Sequence, residues 1–265
     1  MPDSRGSCVE RVLKALLANN ESLHFLKQTV PKVISHFDME SLDYWAEAAT
    51  AYTPEFWKYL YSEYLAECPR ISTRLGNDII EEVVACLLGG FGFKAEVGIS
   101  AFREMKQQHL IRRHCSFEEV LRVLIKPLYV NGKYVHYRFP GQKARYISDF
   151  LNRDDLDTIP LNDDLELRRW LLSVNGIGLK TASWITRNYL NSDKVAVIDI
   201  HIYRAGILAG FIEKGSNIQR DYLKIEKSFL DFCESIDVRP AYMDEIMWWQ
   251  MKDSNRLALK LINHI

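Results

Sequence analysis

Residues 174–182 read VNGIGLKTA, and this short stretch constrains the fold more than any other. Two glycines bracket one apolar residue between segments of helical periodicity. A chain of this pattern turns tightly between two helices, because glycine accepts backbone angles that other residues resist. The second helix then begins beside Lys180. A cation in the first turn opposes the positive field of the helix N-terminus, so this lysine is placed poorly for stability. The same field, with exposed N–H groups, attracts anions.

Helical periodicity also dominates the rest of the chain. Val9, Val12, Leu13, Leu16 and Leu17 form one apolar stripe. Phe56, Leu60, Tyr64 and Leu65 form another, behind Thr53 as N-cap and Pro54 in the first turn. Asn77 is the expected cap of a third helix, which buries Ile79, Ile80, Val83, Val84, Leu87 and Leu88 and stops in the GGFGF run of residues 89–93. Asn131-Gly132, between two β-favouring runs in residues 127–137, predicts a hairpin. Helices follow from about 141 to 151, from Asp163 or Asp164 to near Val174, and from about 180 to 190. A short apolar run, Val195 to Ile198, leads to Asp199 at the start of another helix with Ile200, Tyr203, Ile207 and Leu208 on its apolar side. Two more cover about 218–234 and 240–251. The expected class is mainly α with one small β-hairpin, with a boundary near 70–76.

Net charge is −1, so any grip on phosphate must come from a local basic face. The five cysteines are scattered without a C-x-x-C pair, which argues against a disulfide framework, a zinc site or any other metal. No cofactor is called for. No apolar run is long enough to span a membrane, and the N-terminus lacks a secretion-signal pattern. The expectation is a protein of the cytoplasm or nucleoid, or of the nucleus in a eukaryote, working as a monomer.

Two readings of Lys180 stand on this segment alone. It is a phosphate contact, or it is a nucleophile whose neutral form the helix field and partial burial favour. Asp199, nineteen positions on, is an ordinary cap or a carboxylate delivered into a cleft. Gly176, Gly178, Thr181 and Ala182 leave room for a DNA backbone to approach.

Residues 171–204 resemble the core of the helix–hairpin–helix superfamily of DNA glycosylases. Gly176, Ile177, Gly178, Lys180, Asp199 and His201 all match its pattern. Members with a lysine at this place are bifunctional, cutting first the glycosidic bond and then the strand. The chain most resembles 8-oxoguanine DNA glycosylases of the shorter archaeal and bacterial type. YRFPGQKARYI (137–147), EEVVACLLGGFGFKAEVGI and DEIMWWQMK (244–252) echo that type, and the likeness covers about 77–252. The resemblance implies two helical subdomains flanking a cleft, with an N-terminal helical extension over 1–76, a core over 77–265 and the hairpin motif at 165–190. The extension and the run to Ile265 depart from the short type.

The implied roles are Lys180 attacking the sugar C1′ to form a Schiff base, with Asp199 stabilising positive character on the sugar. The partner is double-stranded DNA carrying a damaged base. His201 and Arg204 are phosphate contacts or solvated side chains. Arg138, Lys143 and Arg145 are expected on an exposed helical face. Trp248 and Trp249 form a wall for a flipped base, or one of them is core. Phe91 and Phe93 are a wedge into the vacated stack, or simple packing. Two alternatives share these motifs: a glycosylase/lyase for another damaged or modified base, and a non-catalytic helix–hairpin–helix DNA-binding module.

Overall fold

The computed structural model describes residues 52–67, 74–90 and 94–264. The stripe of Val9 to Leu17 and the pair Phe91 and Phe93 lie outside the described residues. Among the described residues there are eleven α-helices and one two-stranded sheet. No described helix is long and apolar enough to cross a membrane. The chain forms two compact units, one of residues 72–195, the other of the described residues before 72 with 196–264.

The 72–195 unit begins with α2 (Ile79–Leu88), which follows α1 (Pro54–Glu67) of the other unit. Asp78, not Asn77, caps α2: its side chain accepts from Glu81 N at 2.8 Å. The Asn77 backbone N–H instead donates to Glu81 Oε2 at 2.7 Å. Next come α3 (Ala95–Gln107) and α4 (Phe117–Leu124), the latter opened by a reciprocal capping box between Ser116 and Glu119. The predicted hairpin is β1 (Leu128–Val130) and β2 (Lys133–Val135), antiparallel, with Asn131 at φ 48° and Gly132 at φ 83°. Those two positive angles are what a primed two-residue turn demands of Asn-Gly.

Pro140 opens α5 (Pro140–Leu151), as its fixed φ and missing N–H favour. Asp163 caps α6 (Asp164–Leu171), accepting from Glu166 N at 2.9 Å. The helix therefore ends three residues before Val174. Then come the Gly-Ile-Gly turn and α7 (Leu179–Leu190). Val84 and Leu88 of α2, Ala101 of α3, Ile147 of α5 and Leu167 of α6 lie together in this unit's core with Ile185 of α7.

In the other unit, Thr53 Oγ1 accepts from Phe56 N at 3.3 Å and so caps α1 as expected. That helix buries Trp57, Leu60 and Tyr64. The unit continues with α8 (Ile200–Ala209), α9 (Tyr222–Ser235), α10 (Pro240–Asp253) and α11 (Asn255–His264). Helix α10 packs on α1, α8 and α9, and α8 also packs on α11. The inward face of α8 is Ile202, Ala205, Gly206 and Ile207, while Ile200 is exposed. Of the expected apolar side, Ile207 is buried and Tyr203 and Leu208 are half-buried; the expectation is corrected at Ile200, which directly follows the cap and is exposed. Helix α11 was not foreseen, although Ala258, Leu261 and Ile262 give it a buried side.

Candidate active site

The turn between α6 and α7 is built from inside. Ile177 is buried and its N–H donates to Val174 O at 3.1 Å. Gly176 stands at φ +88°, and a Cβ there would lie 2.4 Å from Cδ2 of the Tyr146 ring on α5. Its glycine is required by backbone angle and by internal packing, not by an approaching DNA backbone. Gly178 is different. Its φ is −102°, and a Cβ would meet nothing within 4 Å. The open approach the sequence attributed to both glycines belongs to this one.

Gly178 is the N-cap of α7 and offers no side-chain hydrogen bond, so the first-turn N–H groups keep their field toward the exterior. Thr181 is half-buried beside this end. Ala182 is fully buried and serves the core rather than keeping an approach clear. Lys180 is exposed in the first turn. The partial burial expected for it is absent from the protein alone.

Lys143 departs from its expected solvated role. Its Nζ donates to Leu87 O at 2.6 Å and Gly89 O at 2.8 Å, which satisfies the end of α2. Burial lowers its pKa below the ordinary lysine value. Arg145 is exposed, with its guanidinium 4.8 Å from the Phe117 ring centre. Arg138 is also exposed and lies over Phe139 at 4.7 Å. Phe139 itself is 51% exposed at φ 56°, a left-handed angle that a non-glycine residue adopts at a cost.

In the other unit Asp199 caps α8. Its Oδ1 accepts from His201 N at 2.8 Å and Ile202 N at 3.1 Å, and the residue is 9% exposed. The run before it, residues 195–198, belongs to no helix or strand. Three buried side chains take up its backbone donors: Glu226 Oε1 accepts from Ala196 N (3.0 Å), Asp244 Oδ2 from Val197 N (3.1 Å), and Tyr222 Oη from Ile198 N (3.2 Å). Tyr222 also donates to Ala196 O at 2.8 Å. Buried backbone groups must find partners, so this frame fixes the entry of the chain into the Asp199 cap. Sequence reading missed these three residues, since their helices lie 24 to 47 positions downstream.

His201 is half-buried, with its ring 5.8 Å from that of Trp248. Trp248 and Trp249 meet edge to face at 4.9 Å, and Lys252 Nζ lies 4.8 Å from each ring centre. Both tryptophans are half-buried, so neither is core. Arg204 is half-buried one turn beyond His201. Among the described residues, no group of three or more His, Cys, Asp or Glu is arranged to hold a metal ion.

The glycine turn and its first-turn Lys180 belong to one unit, and the helix-capping Asp199 belongs to the other. Residues 63–238 match the family described as 8-oxoguanine DNA glycosylase, and the chain belongs to that family. An 8-oxoguanine DNA glycosylase/AP lyase of Metallosphaera sedula is 28% identical over 187 residues, 68% of this chain and 85% of that protein. One from Methanocaldococcus jannaschii is 26% identical over 197 residues, 72% of this chain and 89% of the other. Among solved structures, the 8-oxoguanine DNA glycosylase of Thermotoga maritima superposes with a TM-score of 0.50 at 21% identity, covering 92% of this chain and 97% of that one. The M. jannaschii 8-oxoguanine glycosylase/lyase, crystallised with a 15mer DNA containing 8-oxoguanine, gives 0.51 at 20% identity and the same coverage. The fold is the helix–hairpin–helix glycosylase fold.

Proposed function

We propose that this chain removes 8-oxoguanine from duplex DNA and then nicks the strand, with Lys180 as the nucleophile and Asp199 as its carboxylate partner. The observation that carries the reading is the family match over residues 63–238, which spans a lysine two residues past the second glycine of an uncapped turn. The relatives bear the name glycosylase/AP lyase, and a lysine amine is the group such a two-step reaction needs.

The target nucleotide leaves the stack at a cost of a few kcal/mol, because its C1′ is shielded inside the duplex. The Gly178 end of α7 and Thr181 hold phosphate, with His201 and Arg204 as further backbone contacts. The neutral Lys180 amine attacks C1′, the glycosidic bond breaks, and the base leaves with the bonding pair and takes up a proton. Opening of the sugar ring gives the Schiff base. Loss of a C2′ proton then expels the 3′-phosphate by β-elimination.

Positive character builds on the sugar as the base departs, and the Asp199 carboxylate stabilises it. Such a charge is worth more where water is excluded, and the bound DNA supplies that exclusion over an otherwise exposed lysine. The half-buried faces of Trp248 and Trp249 suit a flipped base.

The reading is tested with a panel of duplexes carrying 8-oxoguanine, other oxidised or alkylated bases, or undamaged guanine. Excision and spontaneous nicking should be fastest at 8-oxoguanine. Faster cutting at another lesion would reassign the substrate, and binding without cutting at any lesion would leave only a DNA clasp.

A further inference from the structure

The β1–β2 hairpin takes no part in the reaction described above. Its register pairs Leu128 with Val135, Tyr129 with Tyr134 and Val130 with Lys133. Leu128 and Val130 are buried, and the strand alternation sends Tyr129 and Tyr134 outward, 63% and 74% exposed. Their rings meet edge to face at 5.4 Å. A cross-strand aromatic pair steadies a hairpin modestly, yet these rings leave most of their surface in water. Ile125 and Phe139, on either side in sequence, are exposed as well.

The charge around them is one-sided. Residues 120–148 hold Arg122, Lys126, Lys133, Arg138, Lys143 and Arg145 and no Asp or Glu, in a chain whose 34 Lys and Arg face 35 Asp and Glu. Lys143 is committed to the carbonyls of α2, and Arg145 lies against Phe117. Lys126, Lys133 and Arg138 are exposed, and among the described residues none of the three forms an ion pair with a carboxylate. Exposed aromatic faces interleaved with uncompensated cations are the chemistry that holds a nucleic-acid strand: rings for sugars and bases, cations for phosphates. The hairpin is also tied to the glycine turn. Helix α5 starts five residues after β2, and its Tyr146, about 9 Å along the axis from Pro140, packs on Gly176.

We infer that the β1–β2 hairpin is a second DNA contact, which extends the grip of the Gly178 turn along the same duplex. Lys126, Lys133 and Arg138 take phosphates flanking the lesion, and Tyr129 and Tyr134 lie against the deoxyriboses beside them. The inference rests on the function proposed above and adds to it a surface that sets affinity and footprint without touching the reacting sugar.

The test uses the full chain with two variants, the double Tyr129→Ser/Tyr134→Ser and the single Lys133→Gln. All three changes are at exposed positions, and thermal melting confirms that the fold is kept. Affinity is read by fluorescence anisotropy on short and long 8-oxoguanine duplexes across a salt series. Single-turnover excision is read at saturating enzyme. The tyrosine variant should bind the long duplex roughly tenfold more weakly. Lys133→Gln should reduce the slope of log affinity against log salt by about one. Neither should change the excision rate at saturation. Wild-type affinity and slope in both variants would overturn the inference, as would a slowed chemical step at saturation. If the wild type cuts no 8-oxoguanine while the variants still lose affinity for DNA, the proposed function fails and the hairpin contact stands.

Discussion

Tyr146 lies flat against the place where Gly176 would carry a side chain, leaving 2.4 Å between its Cδ2 and an added Cβ. The turn that presents Lys180 is thus held from behind by a ring on α5. Gly178, two residues on, has open space instead. The two glycines of one motif answer to different forces, and they separate in experiment. Gly176→Ala must strain a positive φ and displace a packed ring, which should cost about 2–4 kcal/mol of stability in urea unfolding. Gly178→Ala should cost at most about 1 kcal/mol, the usual difference at an N-cap, while weakening duplex binding. Equal losses of stability in both variants would contradict this division.

Asp199 both caps α8 and carries the proposed charge, and these roles are separable because asparagine caps as well as aspartate. Asp199→Asn should keep the melting temperature and DNA affinity but slow excision on the order of 10²-fold or more. Asp199→Ala should in addition lose about 1 kcal/mol of stability. An Asn variant that excises at the wild-type rate would leave Asp199 as a cap alone.

The Lys143 ammonium joins two carbonyls at the end of α2 and is half-buried. Lys143→Met keeps the stem and removes the donors, so the carbonyls of Leu87 and Gly89 lose charge-assisted bonds. Stability should fall by about 1–3 kcal/mol, measured by denaturant melts. An unchanged midpoint would mean that water replaces the ammonium without cost.

Glu82 is fully buried, and its Oε2 accepts from Leu75 N at 2.7 Å and Gly76 N at 2.8 Å. Burial raises its pKa above the ordinary 4.5, against the pull of those two N–H groups. The folded chain therefore holds this proton to higher pH than the unfolded chain does. Its contribution to stability is fully present below pH 4.5 and is lost as pH rises through the folded value. Glu82→Gln cannot ionise. Relative to wild type, its stability should improve as the pH is raised from acid to neutral, read from urea melts at each pH. A difference independent of pH, or one that shrinks as the pH rises, would contradict a raised Glu82 pKa.

Local signals were well expressed in the sequence. Thr53-Pro54, Asn131-Gly132, Pro140 and Asp163 each mark an element boundary by their own backbone chemistry, and each stands where that chemistry puts it. Lys180 and Asp199 were legible for the same reason, one in a first turn and the other at a cap. What escaped was non-local. Nothing near Lys143 in sequence announces that it reaches carbonyls 54 and 56 positions away. Glu226, Asp244 and Tyr222 look like ordinary helical residues until the 196–198 run is laid beside them. On α8 the spacing picked out Ile207, which is buried, but also Ile200, which stands exposed directly after the Asp199 cap.

The central claim is that the Lys180 amine becomes covalently joined to the sugar. Borohydride reduction of a reacting mixture with an 8-oxoguanine duplex measures this directly, since only a Schiff base is trapped. Wild type should give a stable protein–DNA adduct, and Lys180→Gln, which keeps the helix and the turn, should give none. An adduct of equal yield in the Lys180→Gln variant would contradict the account and place the nucleophile elsewhere in the chain.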